Sequence, residues 1–119
     1  QEQEQEQEQE QEQEQQRERE RQEQQEAEHL AKEQERKALV GAFLKEHGYS
    51  DVGRPKRTMT KTKYPIHTAA KIGDSRVVAA LIEEGADPAQ KNSAGRTALQ
   101  VAEKLNKKGS HADAVRALS

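Results

Sequence analysis

Residues 64–70 read YPIHTAA and residues 97–102 read TALQVA, so one pattern occurs twice at a spacing of 33 residues. In both copies an apolar residue at the third position is followed, three places later, by an alanine. Pro65 fits the first turn of a helix, where its missing N–H would have no intrahelical partner anyway. The pattern therefore predicts two short helices that begin at equivalent points of a repeated unit.

The segment between the two copies predicts a second helix and a loop. Gly73 can adopt the left-handed conformation that ends a helix, and Asp74 or Ser75 can cap the next helix. Residues 77–82 place apolar side chains at helical spacing, whereas residues 86–96 are polar and rich in turn-forming residues. Each unit is thus predicted to be helix, turn, helix and loop. Because two short helices bury little surface alone, neighbouring units must stack.

The period and the motif resemble those of an ankyrin repeat, whose signature reads T-P-L-H-x-A. The resemblance implies an all-α stack of helix-turn-helix repeats, here two ankyrin-like repeats at residues 64–96 and 97–119. It also implies a structural role for His67, whose ring would hydrogen-bond neighbouring turn backbone. The second copy departs from the signature, since Gln100 replaces the histidine. Asn106 stands where the inter-helix glycine falls, so we expect the first helix of this copy to be longer than usual.

The residues before the repeats divide into three segments. Residues 1–26 form a low-complexity Gln/Glu tail, for which both a frayed long helix and disorder remain open. Residues 27–48 carry a dense apolar face around Phe43 and predict an amphipathic N-terminal capping helix that stops at Gly48. Residues 49–63 are predicted to be a basic linker. The predicted domains are therefore 1–26, 27–48, 49–63 and 64–119.

The capping helix shares sequence with the second helix of the first repeat. Residues 43–49 align with residues 80–86, and Gly48 and Gly85 then fall at the same position. We therefore hypothesise that residues 28–47 contain the second helix of a degenerate first unit. The alternative is a fragment of a longer array, or of a larger multidomain enzyme or scaffold. The chain begins with Gln rather than Met, which favours a fragment or a processed product.

Composition and charge limit the class of protein. Of the 119 residues, 30% are hydrophobic and 35% are charged, so part of the chain must lie outside any core. Residues 1–26 carry 11 Glu and 3 Arg, a net charge of −8, whereas residues 27–119 carry a net charge of +6. No apolar run approaches the ~20 residues of a membrane span. We expect an acidic tail on the basic domain of a cytoplasmic or nuclear protein.

No arrangement of residues predicts catalysis, a cofactor or a metal site. The chain has no cysteine, and its four histidines are scattered, with none paired at i,i+4 spacing. No Ser/His/Asp order, nucleophile elbow or phosphate-binding loop occurs in it. The sequence therefore predicts a protein that is not an enzyme and that has no small-molecule substrate.

The ankyrin resemblance also implies where a partner would bind. In that family the loop tips and the exposed side of the first helices meet protein partners. The matching positions here include four basic residues, which would favour an acidic protein partner. Ordinary solvated surface is the competing interpretation for any single position. The candidate partner-binding residues are Thr68, Lys71, Gln90, Lys91, Asn92, Ser93, Arg96, Val101 and Lys104.

The basic linker offers an alternative function. Five Lys or Arg residues and no acidic residue fall within residues 54–63, which is typical of a nuclear-import signal or a weak phosphate-binding strip. Only Tyr64 adds an aromatic ring, so stacking on bases has little support and nucleic acid is the less favoured partner. Phosphorylation of Thr58, Thr60 or Thr62 would reverse the local charge. A solvated linker is the simpler interpretation.

Overall fold

A computed structural model describes residues 2–119 and consists of helices with one small hairpin. The predicted all-α class is confirmed. The chain divides into two compact units, the first ending at Glu35 and the second comprising Arg36–Ser119. The elements are α1 (Glu2–His47), β1 (Lys56–Arg57), β2 (Thr62–Lys63), α2 (Pro65–Ile72), α3 (Ser75–Glu83), α4 (Ala98–Leu105) and α5 (Ala112–Leu118).

The first unit is a helical segment without a core. Within residues 2–35 every side chain is exposed except that of Glu33, which is half-buried. Glutamine and glutamate are good helix formers, so this sequence can sustain a helix without burying apolar surface. Of the two alternatives for the Gln/Glu tail, the structure has the long helix. That helix passes the predicted boundary between residues 26 and 27 without a break.

Helices α2 and α3 form the first repeat, and local signals set their limits. Pro65 occupies the first turn of α2, and Gly73, with φ of 84°, ends this helix in the left-handed conformation. Asp74 then caps α3, because its carboxylate accepts hydrogen bonds from the backbone N–H groups of Arg76 and Val77. The predicted order of helix, turn and helix is therefore confirmed for this repeat.

Helices α4 and α5 form the second repeat. Thr97 and Gln100 close a capping box at the start of α4, each side chain accepting a hydrogen bond from the backbone N–H of the other. Helix α4 has eight residues, the same number as α2, so the expectation of a longer first helix is wrong. No glycine is needed at its end because the Asn106 side chain accepts from the backbone N–H of His111 at 3.0 Å. The residues that adopt the left-handed backbone conformation in this turn are instead Lys108 and Gly109.

The core of the second unit depends on small side chains. Helix α2 packs against α3 and α4, and α5 packs against the same two helices. Fully buried alanines allow these helices to approach closely, and larger aliphatic side chains fill the centre. The fully buried residues of this core include Ala69, Ala70, Ala98, Ala102, Ala114, Val78 and Leu81.

The end of α1 belongs to the same core. Val40 and Phe43 are buried among the repeat helices, and the Phe43 ring lies 4.5 Å from the ring of His47. Arg36 binds both acidic residues at the end of α3, with Nε at 2.7 Å from a Glu84 oxygen and Nη1 at 3.1 Å from a Glu83 oxygen. Residues 36–47 therefore pack against the repeats as the predicted capping helix, and the degenerate first unit stays a prediction.

The predicted basic linker contains an ordered hairpin, which we call the first finger (residues 56–63). Strands β1 and β2 are antiparallel, with Lys56 opposite Lys63 and Arg57 opposite Thr62. A turn joins them, in which the backbone N–H of Thr58 donates to the carbonyl of Lys61 at 2.8 Å. The finger projects from the stack immediately before α2 begins, so its basic residues lie next to the repeats.

Candidate binding cleft

A cleft of about 380 Å³ opens between helices α2 and α4 and two neighbouring turns. One turn is the first finger. The other, the second finger (residues 90–96), is closed by Asn92, whose backbone N–H donates to the carbonyl of Arg96 and whose side chain accepts from the N–H groups of Ala94 and Arg96. The lining residues are Lys61, Thr62, Lys63, His67, Thr68, Lys71, Asn92, Ser93, Ala94, Arg96, Val101, Lys104 and Leu105.

The charge of this cleft has a single sign. Its lining includes Lys61, Lys63, Lys71, Arg96 and Lys104, all exposed, and no aspartate or glutamate. None of these five side chains has an ion-pair partner within residues 2–119. Cations grouped in a concave surface focus a positive potential, which attracts acidic groups. We refer to this surface as the basic cleft.

Two helices supply the floor of the basic cleft at equivalent positions. Thr68 and Lys71 lie one turn apart on α2, and Val101 and Lys104 occupy the same positions of α4, one repeat later. The Thr68 hydroxyl is hydrogen-bonded to the hydroxyl of Tyr49 at 2.5 Å. Burial raises the pKa of Tyr49 above its ordinary value of 10.0, and the hydrogen bond to Thr68 opposes this shift. The floor at Thr68 is thereby held in place.

Hydrogen bonds hold the two fingers against the repeats. The backbone N–H of Thr62 donates to the Ser93 hydroxyl at 3.1 Å, which ties the first finger to the second. His67, only 5% exposed, donates from Nε2 to the carbonyl of Arg96 at 2.8 Å. Burial lowers the pKa of His67, and the carbonyls of Arg96 and Gln90 oppose this shift without reversing it. The structural role predicted for His67 is confirmed.

The comparison with known families agrees with this architecture. A family model described as ankyrin repeats (3 copies) matches residues 28–119. The chain belongs to the ankyrin-repeat family. The match covers more than half of the chain and begins within α1, so it extends the resemblance to residues before the two predicted repeats at 64–96 and 97–119. No curated protein and no solved structure matches the chain significantly.

Ankyrin repeats are protein–protein interaction modules, and the positions predicted from the family fall largely around the basic cleft. Seven of the nine candidate residues line it, whereas Gln90 and Lys91 do not. The Gln90 side chain instead donates to the carbonyl of Lys91 at 3.1 Å. The seven lining residues are Thr68, Lys71, Asn92, Ser93, Arg96, Val101 and Lys104.

Sequence reasoning assigned Lys61 and Lys63 to a separate basic linker. In this ankyrin-repeat protein the hairpin brings both side chains to the same cleft as Lys71 and Lys104. The position of the linker could have indicated this location of the two lysines, because fingers precede the first helix of each ankyrin repeat. The two candidate sites predicted from the sequence are therefore neighbours in space.

A second histidine is hydrogen-bonded to the end of α2, where Lys71 lines the basic cleft. His111 donates from Nε2 to the carbonyl of Lys71 at 2.8 Å, and its Nδ1 lies 2.9 Å from the Ser110 hydroxyl. Its ring lies so close to Gly73 that a Cβ atom there would come within 2.9 Å of it. His111 thereby connects the second repeat to the end of α2, where Lys71 is located.

Among residues 2–119, no group of three or more His, Cys, Asp or Glu side chains is arranged to hold a metal ion. None of the helices between residues 2 and 119 has the length and apolar character to span a membrane.

Proposed function

We propose that this ankyrin-repeat protein binds an acidic segment of a protein partner in the basic cleft. The observation that supports the proposal is the lining of the cleft, which combines five cations with no carboxylate. Electrostatic complementarity of this kind selects partners and accelerates their encounter. The function is binding, with no chemical step.

The lining favours an extended peptide with acidic and apolar residues. Lys71 and Lys104 offer cations on the floor, and Arg96 can hold a carboxylate through two parallel hydrogen bonds. Val101 and Leu105 are half-buried between these charges and offer a small apolar contact. The hydrogen bonds of the fingers pre-organise these groups, which lowers the entropy lost on binding.

Nucleic acid is the alternative partner, and the aromatic residues argue against it. The chain has one Phe, two Tyr and no Trp. Phe43 and Tyr49 are buried, and half-buried Tyr64 packs its ring 5.7 Å from that of His67. Single-stranded nucleic acid is bound through phosphate contacts together with stacking on exposed rings. Only the phosphate part of that recognition has support here.

The test compares two double variants of the full chain in binding a fluorescent oligoglutamate peptide. Lys71→Ala with Lys104→Ala removes two floor cations, and Lys45→Ala with Lys107→Ala removes two exposed cations elsewhere. We expect the floor variant to weaken binding by roughly tenfold and the control to have little effect. Equal losses in both variants would mean that the peptide responds to net charge alone, and the proposal would be wrong.

A single-stranded oligonucleotide of similar charge serves as the second probe. Under the proposal it binds more weakly than the acidic peptide and shows the steep salt dependence of phosphate contacts. The nucleic-acid alternative would be favoured by three results together. The oligonucleotide would bind more tightly than the peptide, the floor variant would retain this binding, and replacement of Lys56 and Arg57 by alanine would abolish it.

A further inference from the structure

The tip of the first finger carries one accessible threonine. Thr60 is exposed, and its hydroxyl has no hydrogen-bond partner within residues 2–119. Thr58 differs, because its hydroxyl donates to the carbonyl of Lys61 and accepts from the N–H of the same residue. Thr62 is half-buried in the lining of the basic cleft. Of these three threonines, only Thr60 is both exposed and without a side-chain hydrogen-bond partner within residues 2–119.

We propose that Thr60 is a phosphorylation site for a protein kinase that selects basic residues before its target, and that the phosphate weakens binding of acidic partners to the basic cleft. The second part rests on the proposed function. The first part rests only on the finger itself. The two parts are therefore tested separately below.

The sequence before Thr60 suits such a kinase. Arg57 stands three residues before it and Lys56 four, and both side chains are exposed on β1. Kinases discriminate among substrates by charge patterns of this kind. Basic residues at these positions would contact an acidic substrate groove.

The finger can also open to admit the kinase. Its strands have two residues each, and a two-stranded hairpin of this size is marginally stable. Met59, next to Thr60, is fully exposed, so extending the tip would uncover no buried side chain there. Local opening of such a segment requires little free energy compared with unfolding of the core.

The transfer itself uses ATP bound to the kinase. The Thr60 hydroxyl oxygen attacks the γ-phosphorus and forms a new O–P bond, while the bond from that phosphorus to the bridging oxygen of the β-phosphate breaks. ADP leaves, and the hydroxyl proton passes to the catalytic carboxylate of the kinase. The product is a phosphothreonine carrying about −1.5 to −2 charges at neutral pH.

This charge would appear beside the basic cleft. Lys61, the next residue in the chain, lines the cleft, and Lys63 follows two residues later. The phosphate would offset about two of the five positive charges of the lining. It would also attract Lys61 and Arg57, which draws one of the lining cations towards the finger tip. Both effects weaken the attraction of an acidic partner.

The first experiment incubates the full chain with ATP and a kinase specific for arginine three residues before its target, followed by mass spectrometry of the peptides. We expect one phosphoryl group on Thr60. Arg57→Ala should abolish the modification, whereas the matched variant Lys45→Ala should not affect it. Modification at other residues instead of Thr60, or undiminished modification of Arg57→Ala, would overturn the assignment.

The second experiment measures binding of the fluorescent oligoglutamate peptide before and after the kinase reaction. Phosphorylation should raise the Kd by roughly tenfold at low salt, and phosphatase treatment should restore it. Kinase-treated Thr60→Val should bind like the untreated protein. An unchanged Kd for protein phosphorylated at Thr60 would disprove the effect on binding. If the unmodified chain fails to bind the peptide, the proposed function and this effect both fail, while the peptide map alone decides the assignment of Thr60.

Discussion

At the scale of single residues, polar side chains fix how the repeats sit against one another. His67 donates to a carbonyl of the second finger, and His111 donates to the carbonyl of Lys71 at the end of α2. Tyr49 reaches Thr68 from the segment after α1. Aliphatic contacts tolerate small shifts, whereas a hydrogen bond requires defined distances and angles. These three residues therefore add defined distances between the elements to the packing of the alanine-rich core.

The ionisation of His67 should make stability depend on pH. Burial lowers the pKa of the folded-state ring below 6.5, so the unfolded chain takes up the proton first as the pH falls. The stabilising effect is complete above pH 6.5 and is lost as the pH falls through the folded pKa. We expect His67→Gln to lower the free energy of unfolding by about 1 kcal/mol above pH 6.5. Below pH 6.5, the free energy of unfolding of this variant should decrease less than that of the parent chain.

Urea unfolding at pH values on both sides of 6.5 measures this difference. His29→Gln is the control, because His29 is exposed on α1 and its replacement should leave the pH dependence unchanged. Identical pH dependence in the parent chain and in His67→Gln would show that another group causes the acid loss.

The structure also distinguishes two basic residues that the sequence ranked together. Arg96 lines the basic cleft, whereas Lys91 does not. We expect Arg96→Ala to raise the Kd of the oligoglutamate peptide by about fivefold and Lys91→Ala to change it little, as fluorescence titration would show. A larger loss from Lys91→Ala would move the binding surface to the start of the second finger.

At the scale of elements, one helix combines two environments. Residues 2–35 of α1 are solvated, whereas Val40 and Phe43 near its end are buried in the core of the second unit. Helix propensity explains the first part. Tertiary packing explains the second, in which the end of α1 caps the repeats.

Removing the Phe43 ring should therefore destabilise the repeats. Phe43 is only 6% exposed, and truncation of a buried aromatic side chain leaves a cavity. We expect Phe43→Ala to lower the free energy of unfolding by about 3–5 kcal/mol. Leu30→Ala, a truncation of a 54% exposed side chain on the same helix, should have little effect. Equal melting temperatures for Phe43→Ala and the parent would contradict a structural role of α1 in the stack.

The contact between Gly73 and His111 should also be measurable. Gly73→Ala would strain a backbone with φ of 84° and would push against the His111 ring, which hydrogen bonds hold in place. Gly85 has φ of 104°, and a Cβ atom added there would meet open space. Gly85→Ala therefore measures the backbone strain alone, which costs about 1–2 kcal/mol. We expect the larger loss of thermal stability for Gly73→Ala, and His111→Ala should reduce the excess. Equal losses in the two glycine variants would mean that the ring moves aside freely.

Local signals explain how much of the fold could be predicted. Proline at 65, glycine at 73 and aspartate at 74 each act within a few residues, so the sequence alone indicated α2 and α3. The repeat spacing of 33 residues then identified Lys104 as the position equivalent to Lys71 in the second repeat. The length of α4 was predicted wrongly because the side chain of Asn106 closes the turn that glycine was expected to make.

Long-range contacts explain what the sequence could not indicate. Tyr49 and Thr68 are 19 residues apart, and His111 and Lys71 are 40 apart. No local pattern encodes such a pair. The same limit applies to the basic cleft, since Lys63 and Lys104 line one cleft only after the hairpin forms and the repeats stack.

At the scale of the whole molecule, charge is segregated along the chain. Residues 1–26 carry a net charge of −8 and residues 27–119 a net charge of +6, so that the chain as a whole carries −2. The basic cleft thus belongs to a 119-residue chain with a negative net charge. An acidic partner approaching from a distance meets that total charge before it meets the cleft.

The Gln/Glu tail should therefore slow the association of acidic partners. Two variants share a net charge of +6: residues 27–119 alone, and a full chain in which eight of the 11 tail glutamates are replaced by glutamine. We expect both to associate with the oligoglutamate peptide about tenfold faster than the parent at low ionic strength. Stopped-flow fluorescence measures this rate, and the advantage should vanish near ~1 M salt, where the Debye length is about 3 Å. If only the truncated chain binds faster, the charge of the tail is not what slows association, and the prediction is wrong.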